Sequence, residues 1–102
     1  MDQSNTLLFL DRVNDHVVRI VERQEDGLRH FDMTVMWPNG VIAWEDRLTF
    51  TRETASIALP TCVKMITDIA SVQSAVPTKV IKQFQSVYPL EPVPAHALVN
   101  AA

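Results

Sequence analysis

Between Arg29 and Trp37 the side chains alternate in character: Phe31, Met33, Val35 and Trp37 interleave with His30, Asp32, Thr34 and Met36. From Val41 to Phe50 the even positions Ile42, Trp44, Leu48 and Phe50 form a second apolar face. A period of two is that of a strand with one side buried. Between the two runs lies Pro38-Asn39-Gly40, and Asn-Gly is the strongest short-range hairpin marker. A turn centred on Asn39 and Gly40 sets Trp37 opposite Ile42, Val35 opposite Trp44 and Phe31 opposite Leu48. On the other face Asp32 meets Arg47 and Thr34 meets Glu45. A register shifted by two would oppose Asp32 and Glu45, which repel.

Upstream, His16–Arg23 carries Val17, Val18, Ile20 and Val21. This β-branched run is apolar on both faces and predicts an inner strand. Gln24-Glu25-Asp26-Gly27 reads as a turn, with Gly27 free to take positive φ. The start admits two readings. Ser4 or Asn5 caps a short helix over Thr6–Val13, or Leu7–Leu10 forms a strand.

Downstream the period becomes helical. Thr51 suits an N-cap, and Glu53 places an acid in the first turn. Ala55, Ala58, Leu59, Cys62, Val63, Ile66, Ile69 and Ala70 follow three-and-four spacing. Pro60 interrupts this set and either kinks the helix or opens a second one. A rival reading makes Thr54–Leu59 a strand; the unbroken periodicity favours a helix over Thr51–Ser71. Val76-Pro77 restarts the chain, and Val80, Ile81, Phe84, Val87 and Tyr88 share a face of a second helix over 77–87. Pro89-Leu90-Glu91-Pro92-Val93-Pro94 reads as an extended, polyproline-like stretch. The expected fold is α+β: a three- to four-stranded antiparallel sheet around a central Asn-Gly hairpin, covered on one face by two C-terminal helices. Residues 1–88 form one small domain, and 89–102 form a proline-rich extended arm.

Composition narrows the class. The chain has 102 residues, 47% of them hydrophobic and 21% charged, which suits one globular domain and excludes a disordered or collagen-like chain. Net charge is −3. Arg12, Arg19, Arg23 and Arg29 are the candidates for a nucleic-acid surface, but Asp11, Glu22, Glu25 and Asp26 blunt their field, so nucleic acid is not the expected partner. The second half carries only Asp68 and Glu91 against Lys64, Lys79 and Lys82, leaving little charge to cover its outside. The single cysteine, Cys62, excludes an internal disulfide and points to a reducing, cytoplasmic home. The early apolar run Leu7–Leu10 is too short for a membrane span or a signal peptide.

Candidate chemistry is sparse. His16, His30 and His96 fall on different elements, so no metal site is expected. Cys62 lies on the apolar face of its helix and reads as a core thiol. Gly27 and Gly40 do not form a phosphate-cradling loop, and no cofactor is expected. Trp37 and Trp44 read as core aromatics. Asp46 breaks an apolar face, which a bulge or a sheet-edge position explains most economically. His30, Asp32, Thr34, Glu45, Arg47 and Thr49 share the polar face of the hairpin, either as a solvated sheet side or as a recognition patch.

These features predict a small, non-catalytic protein-binding module: an inhibitor, regulator or assembly subunit of a larger protein or complex. The expected interface is the apolar stripe Val80, Ile81, Phe84 and Tyr88 with Leu90 and Val93, docking another protein or a second copy of the chain. The polar-face residues His30, Asp32, Glu45 and Arg47 are the secondary candidates. The alternative is a small dimeric ligand-binding domain or enzyme, with a pocket between sheet and helices served by His30, Asp32 or Asp46.

Overall fold

The computed structural model describes residues 5–72 and 88–94. Four strands run in sequence order: β1 (Asn5–Val13), β2 (His16–Glu25), β3 (Leu28–Met36) and β4 (Ile42–Thr51). They form one antiparallel sheet of order β1-β2-β3-β4, and α1 (Arg52–Val72) follows directly. The N-terminal segment is therefore a strand, and β2 is an inner one. One helix follows the sheet among the described residues, where two were expected. The second, over 77–87, lies outside them.

Two tight turns make the first hairpins. Asn14 and Asp15 both have positive φ, 53° and 69°, and link the pair Val13 and His16. Asp26 and Gly27, at 55° and 78°, link Glu25 and Leu28 in the same way. Positive φ at both central residues matches the right-handed twist of the strands, and Asn and Asp tolerate it better than other side chains.

The third turn corrects the expectation. Gly40 N–H donates to Trp37 C=O at 2.9 Å, so Pro38 and Asn39 occupy the centre, not Asn39 and Gly40. Proline's fixed φ suits the first of these positions. Gly40 comes next, with φ 89°, and Trp37 N–H donates to Val41 C=O at 2.8 Å. Met36 then faces Ile42, in place of Trp37 facing Ile42. Further from the turn, Val35 faces Trp44, Asp32 faces Arg47 and Phe31 faces Leu48. Both sets of pairs coexist because Ala43 is skipped as a bulge. That bulge turns Ile42 off the core face, and it is 48% exposed.

The helix begins where expected. Thr51 Oγ1 accepts Thr54 N–H at 3.3 Å, capping a helix that runs through Pro60. Pro60 is exposed, so the carbonyl it leaves without a helical donor is near water. Small residues Ala55, Ala58 and Cys62 let α1 lie close to the sheet, while Met65, Ile66 and Ile69 fill the space beyond. They close over Val18, Ile20, Phe31, Met33, Val35, Trp44 and Phe50, with the rings of Phe31 and Phe50 5.3 Å apart. This is the core. Glu22 is buried on the same face and pairs with Arg29, whose guanidinium lies over the Phe31 ring and reaches Ser56 Oγ at 3.2 Å. Gln24 Nε2 also donates to Glu22 Oε1 at 3.3 Å, and these two partners compensate a carboxylate that burial alone would penalise.

Residues 88–94 return to this side of the sheet. Tyr88 and Leu90 pack on the core cluster, and Tyr88 O–H donates to Asp68 Oδ2 at 2.5 Å. Val93 N–H donates to Thr49 C=O at 2.7 Å, so the segment lies along part of the β4 edge.

Candidate functional site

With α1 and residues 88–94 on one side, the other face of the sheet is uncovered among the described residues. Strand alternation assigns its side chains. β2 contributes Val17, Arg19, Val21 and Arg23; β3 contributes His30, Asp32, Thr34 and Met36. β4 adds Ile42, Glu45, Arg47 and Thr49 by pairing with them. On β1, Leu7 pairs with Val21 and Leu10 with Arg19, although they are three positions apart. The register skips Leu8, and this bulge brings both leucines to the same face. They are 53% and 57% exposed.

An open depression forms between them, lined by Asn5, Leu7, Leu10, Arg19, Val21, Asp32 and Thr34. Arg19 lines its inner side, and Arg23 stands on the same face of β2, paired with Asn5. The Nε atoms of both are buried and have no hydrogen-bond partner among the described residues. A buried donor left unpaired is destabilising, by roughly 1–3 kcal/mol for an ordinary group. Beside them Arg47 grips Asp32 through two contacts, Nε to Oδ1 at 2.5 Å and Nη2 to Oδ2 at 3.0 Å. Asp32's hydrogen bond, the largest influence, raises the Arg47 pKa above its already high ordinary value. His30 is buried, with Nδ1 2.8 Å from Thr49 Oγ1 and Nε2 4.0 Å from a Glu25 carboxylate oxygen.

The secondary candidates His30, Asp32, Glu45 and Arg47 thus all stand on this face. His30 is engaged with Thr49, and Asp32 with Arg47. Neither is poised against the other as an acid–base pair. Of the expected interface stripe, Tyr88 and Leu90 pack inward and Val93 hydrogen-bonds to β4; Val80, Ile81 and Phe84 lie outside the described residues. The arginines divide: Arg12, Arg19 and Arg23 face outward, while Arg29 is on the core side.

The remaining candidates have structural places. Cys62 is fully buried, and burial pushes its thiol pKa up to about 12. Trp44 is in the core, and Trp37 packs at a tilt against His16 with ring centres 4.5 Å apart. Asp46 sits exposed on the edge strand β4, where Oδ1 accepts Arg47 N–H at 2.8 Å. No group of three or more potential metal ligands occurs among the described residues, and none of their helices is long and apolar enough to cross a membrane. Leu7, Leu10 and Ile42 are the site residues that sequence reading missed. Each is displaced by a bulge, and the bulged residues, Leu8 and Ala43, include no glycine to mark them.

No family model, curated protein or solved structure matches the chain.

Proposed function

We propose that the protein is a non-catalytic binding module that docks another protein on the open face of its sheet, as an inhibitor, regulator or assembly subunit of a larger complex. One observation carries this reading: exposed Leu7 and Leu10 border Arg19 and Arg23, whose buried Nε donors lack partners among the described residues. Apolar contact area beside underused arginine donors is the composition of an interface centre. The partner that fits presents an apolar patch flanked by carboxylates or backbone carbonyls, which would accept from the two guanidinium groups. A pocket between sheet and helix has less support, since fully buried Phe31, Met33, Met65 and Ile66 fill that layer.

The test is recovery of a stoichiometric partner with the tagged protein from its native host, followed by titration with that partner. Arg19→Ala with Arg23→Ala, and separately Leu10→Glu, should weaken binding about tenfold or more while circular dichroism stays native. Lys64→Ala, on the exposed side of α1, should leave affinity unchanged. Full affinity in both face variants, or loss confined to Lys64→Ala, would move the interface to the helical side.

A further inference from the structure

Both edges of the sheet carry the same two devices. β1 has a bulge at Leu8 and the step Asp11-Arg12; β4 has a bulge at Ala43 and the step Asp46-Arg47. The inner pair β2–β3 runs without a register shift. At each step the aspartate accepts the next residue's backbone N–H, Asp11 Oδ1 from Arg12 at 2.8 Å and Asp46 Oδ1 from Arg47 at 2.8 Å.

Those two N–H groups are among the ones an added strand would use. The two-residue turn at Asn14-Asp15 makes Val13 and His16 a hydrogen-bonded pair, so Asp11 and Phe9 also face β2. Arg12 and Leu10 then direct their N–H and C=O to the open side. On the far side, the Asp26-Gly27 turn makes His30, Asp32 and Thr34 face β2, so Phe31 and Met33 face β4 and bond with Leu48 and Asp46. Arg47 and Thr49 are left pointing outward. The bond from Val93 N–H to Thr49 C=O agrees with that direction.

We propose that Asp11 and Asp46 are edge guards. Each carboxylate occupies the outward N–H of the arginine after it and so closes β1 and β4 to strand addition by a second copy or an extended peptide. An unguarded edge is a template for further pairing, and natural sheets suppress it with bulges and charge. The proposal deepens the docking reading, on which its functional meaning rests: a partner meets the face of the sheet and does not extend it. Asp46, out of place on an apolar strand face, gains a reason from this geometry.

The experiment needs no partner, so its failure is separate from failure of the docking reading. Self-association of the full chain is measured by sedimentation velocity over a concentration series. Asp11→Ala with Asp46→Ala should raise the association constant about tenfold over the unsubstituted protein, since each side chain accepts one edge hydrogen bond. Asp11→Asn with Asp46→Asn should behave as the unsubstituted protein, because the amide oxygen accepts the same bond. Equal association in the alanine variant overturns the proposal; so does an asparagine variant that associates as the alanine one does, since charge alone would then be acting. Residue-resolved amide exchange on the unsubstituted protein decides the matter even if a variant unfolds. Arg12 and Arg47 should exchange more slowly than the outward-facing Leu10 and Glu45, and equal rates would sink the idea.

Discussion

Tyr88 is the chain's one tyrosine, and its phenol is held at Asp68. Burial, and then the hydrogen bond to the carboxylate, raise its pKa above the ordinary value of about 10. Because no other tyrosine contributes, the near-ultraviolet tyrosinate signal titrates this group alone. Its midpoint should lie above 10 in the native protein. Asp68→Asn should lower it, since an amide does not repel the phenolate as a carboxylate does, while residual burial keeps it above the free value. A native midpoint at the ordinary value would place Tyr88 in water. At this scale the sequence is readable where partners are near. Cys62 falls in the core because helical spacing set it beside Leu59 and Ile66. The Tyr88–Asp68 contact joins residues from separate elements, and no local periodicity encodes such a meeting.

Turns and bulges decide the elements. Gly40 has φ 89°, and a Cβ added there would meet nothing within 4 Å. Any penalty for a side chain is therefore conformational and not steric crowding by neighbours. Gly40→Val should lower stability by about 1 kcal/mol or more, read from the denaturant midpoint, because a β-branched residue resists positive φ. Gly40→Asn should lose less, since asparagine tolerates that region. An unchanged midpoint for valine would mean that the loop rearranges freely. The pairs of Asp32 with Arg47 and Val35 with Trp44 were legible, since alternation and charge point to them together. The turn centre was not, because Pro38-Asn39 and Asn39-Gly40 are both good turn pairs and differ by one residue. A bulge at Ala43 absorbs that difference. The same kind of insertion at Leu8 hides the alternation of β1, which is why Leu7–Leu10 reads equally well as helix or strand.

At the scale of the molecule, residues 88–94 tie back to α1 through Asp68. The hydrogen bond from Tyr88, then that from Lys64, hold the Asp68 carboxyl below the usual range. A depressed carboxyl contributes stability above its unfolded value of about 3.9, lost as pH falls through the lower folded value. The unsubstituted protein should therefore be more stable than Asp68→Asn at neutral pH. The gap in denaturant midpoint should begin to close near pH 4 and vanish below the folded value. A gap of constant size down to that acidity would rule out the carboxylate as its source. The overall α+β architecture was legible because strand and helix periods are segregated along the chain, and the polar open face of β3 and β4 was legible from alternation; the leucines that extend it on β1 were not, because the bulge at Leu8 breaks the alternation there.

That segregation has a consequence in time. All four strands precede α1, so on the ribosome the sheet's core face is complete before its cover exists. The helix is 21 residues long, and at about 5–20 residues per second its emergence from the ribosome behind β4 takes roughly 1–4 s. Throughout that interval Val18, Ile20, Phe31, Met33 and Phe50 stand bare on a nascent hairpin array that can already pair, since every strand contact is between chain neighbours. Hairpins close in microseconds, so the wait is long by their clock. The newborn protein thus passes through a stage with both faces of the sheet open, one of them largely apolar.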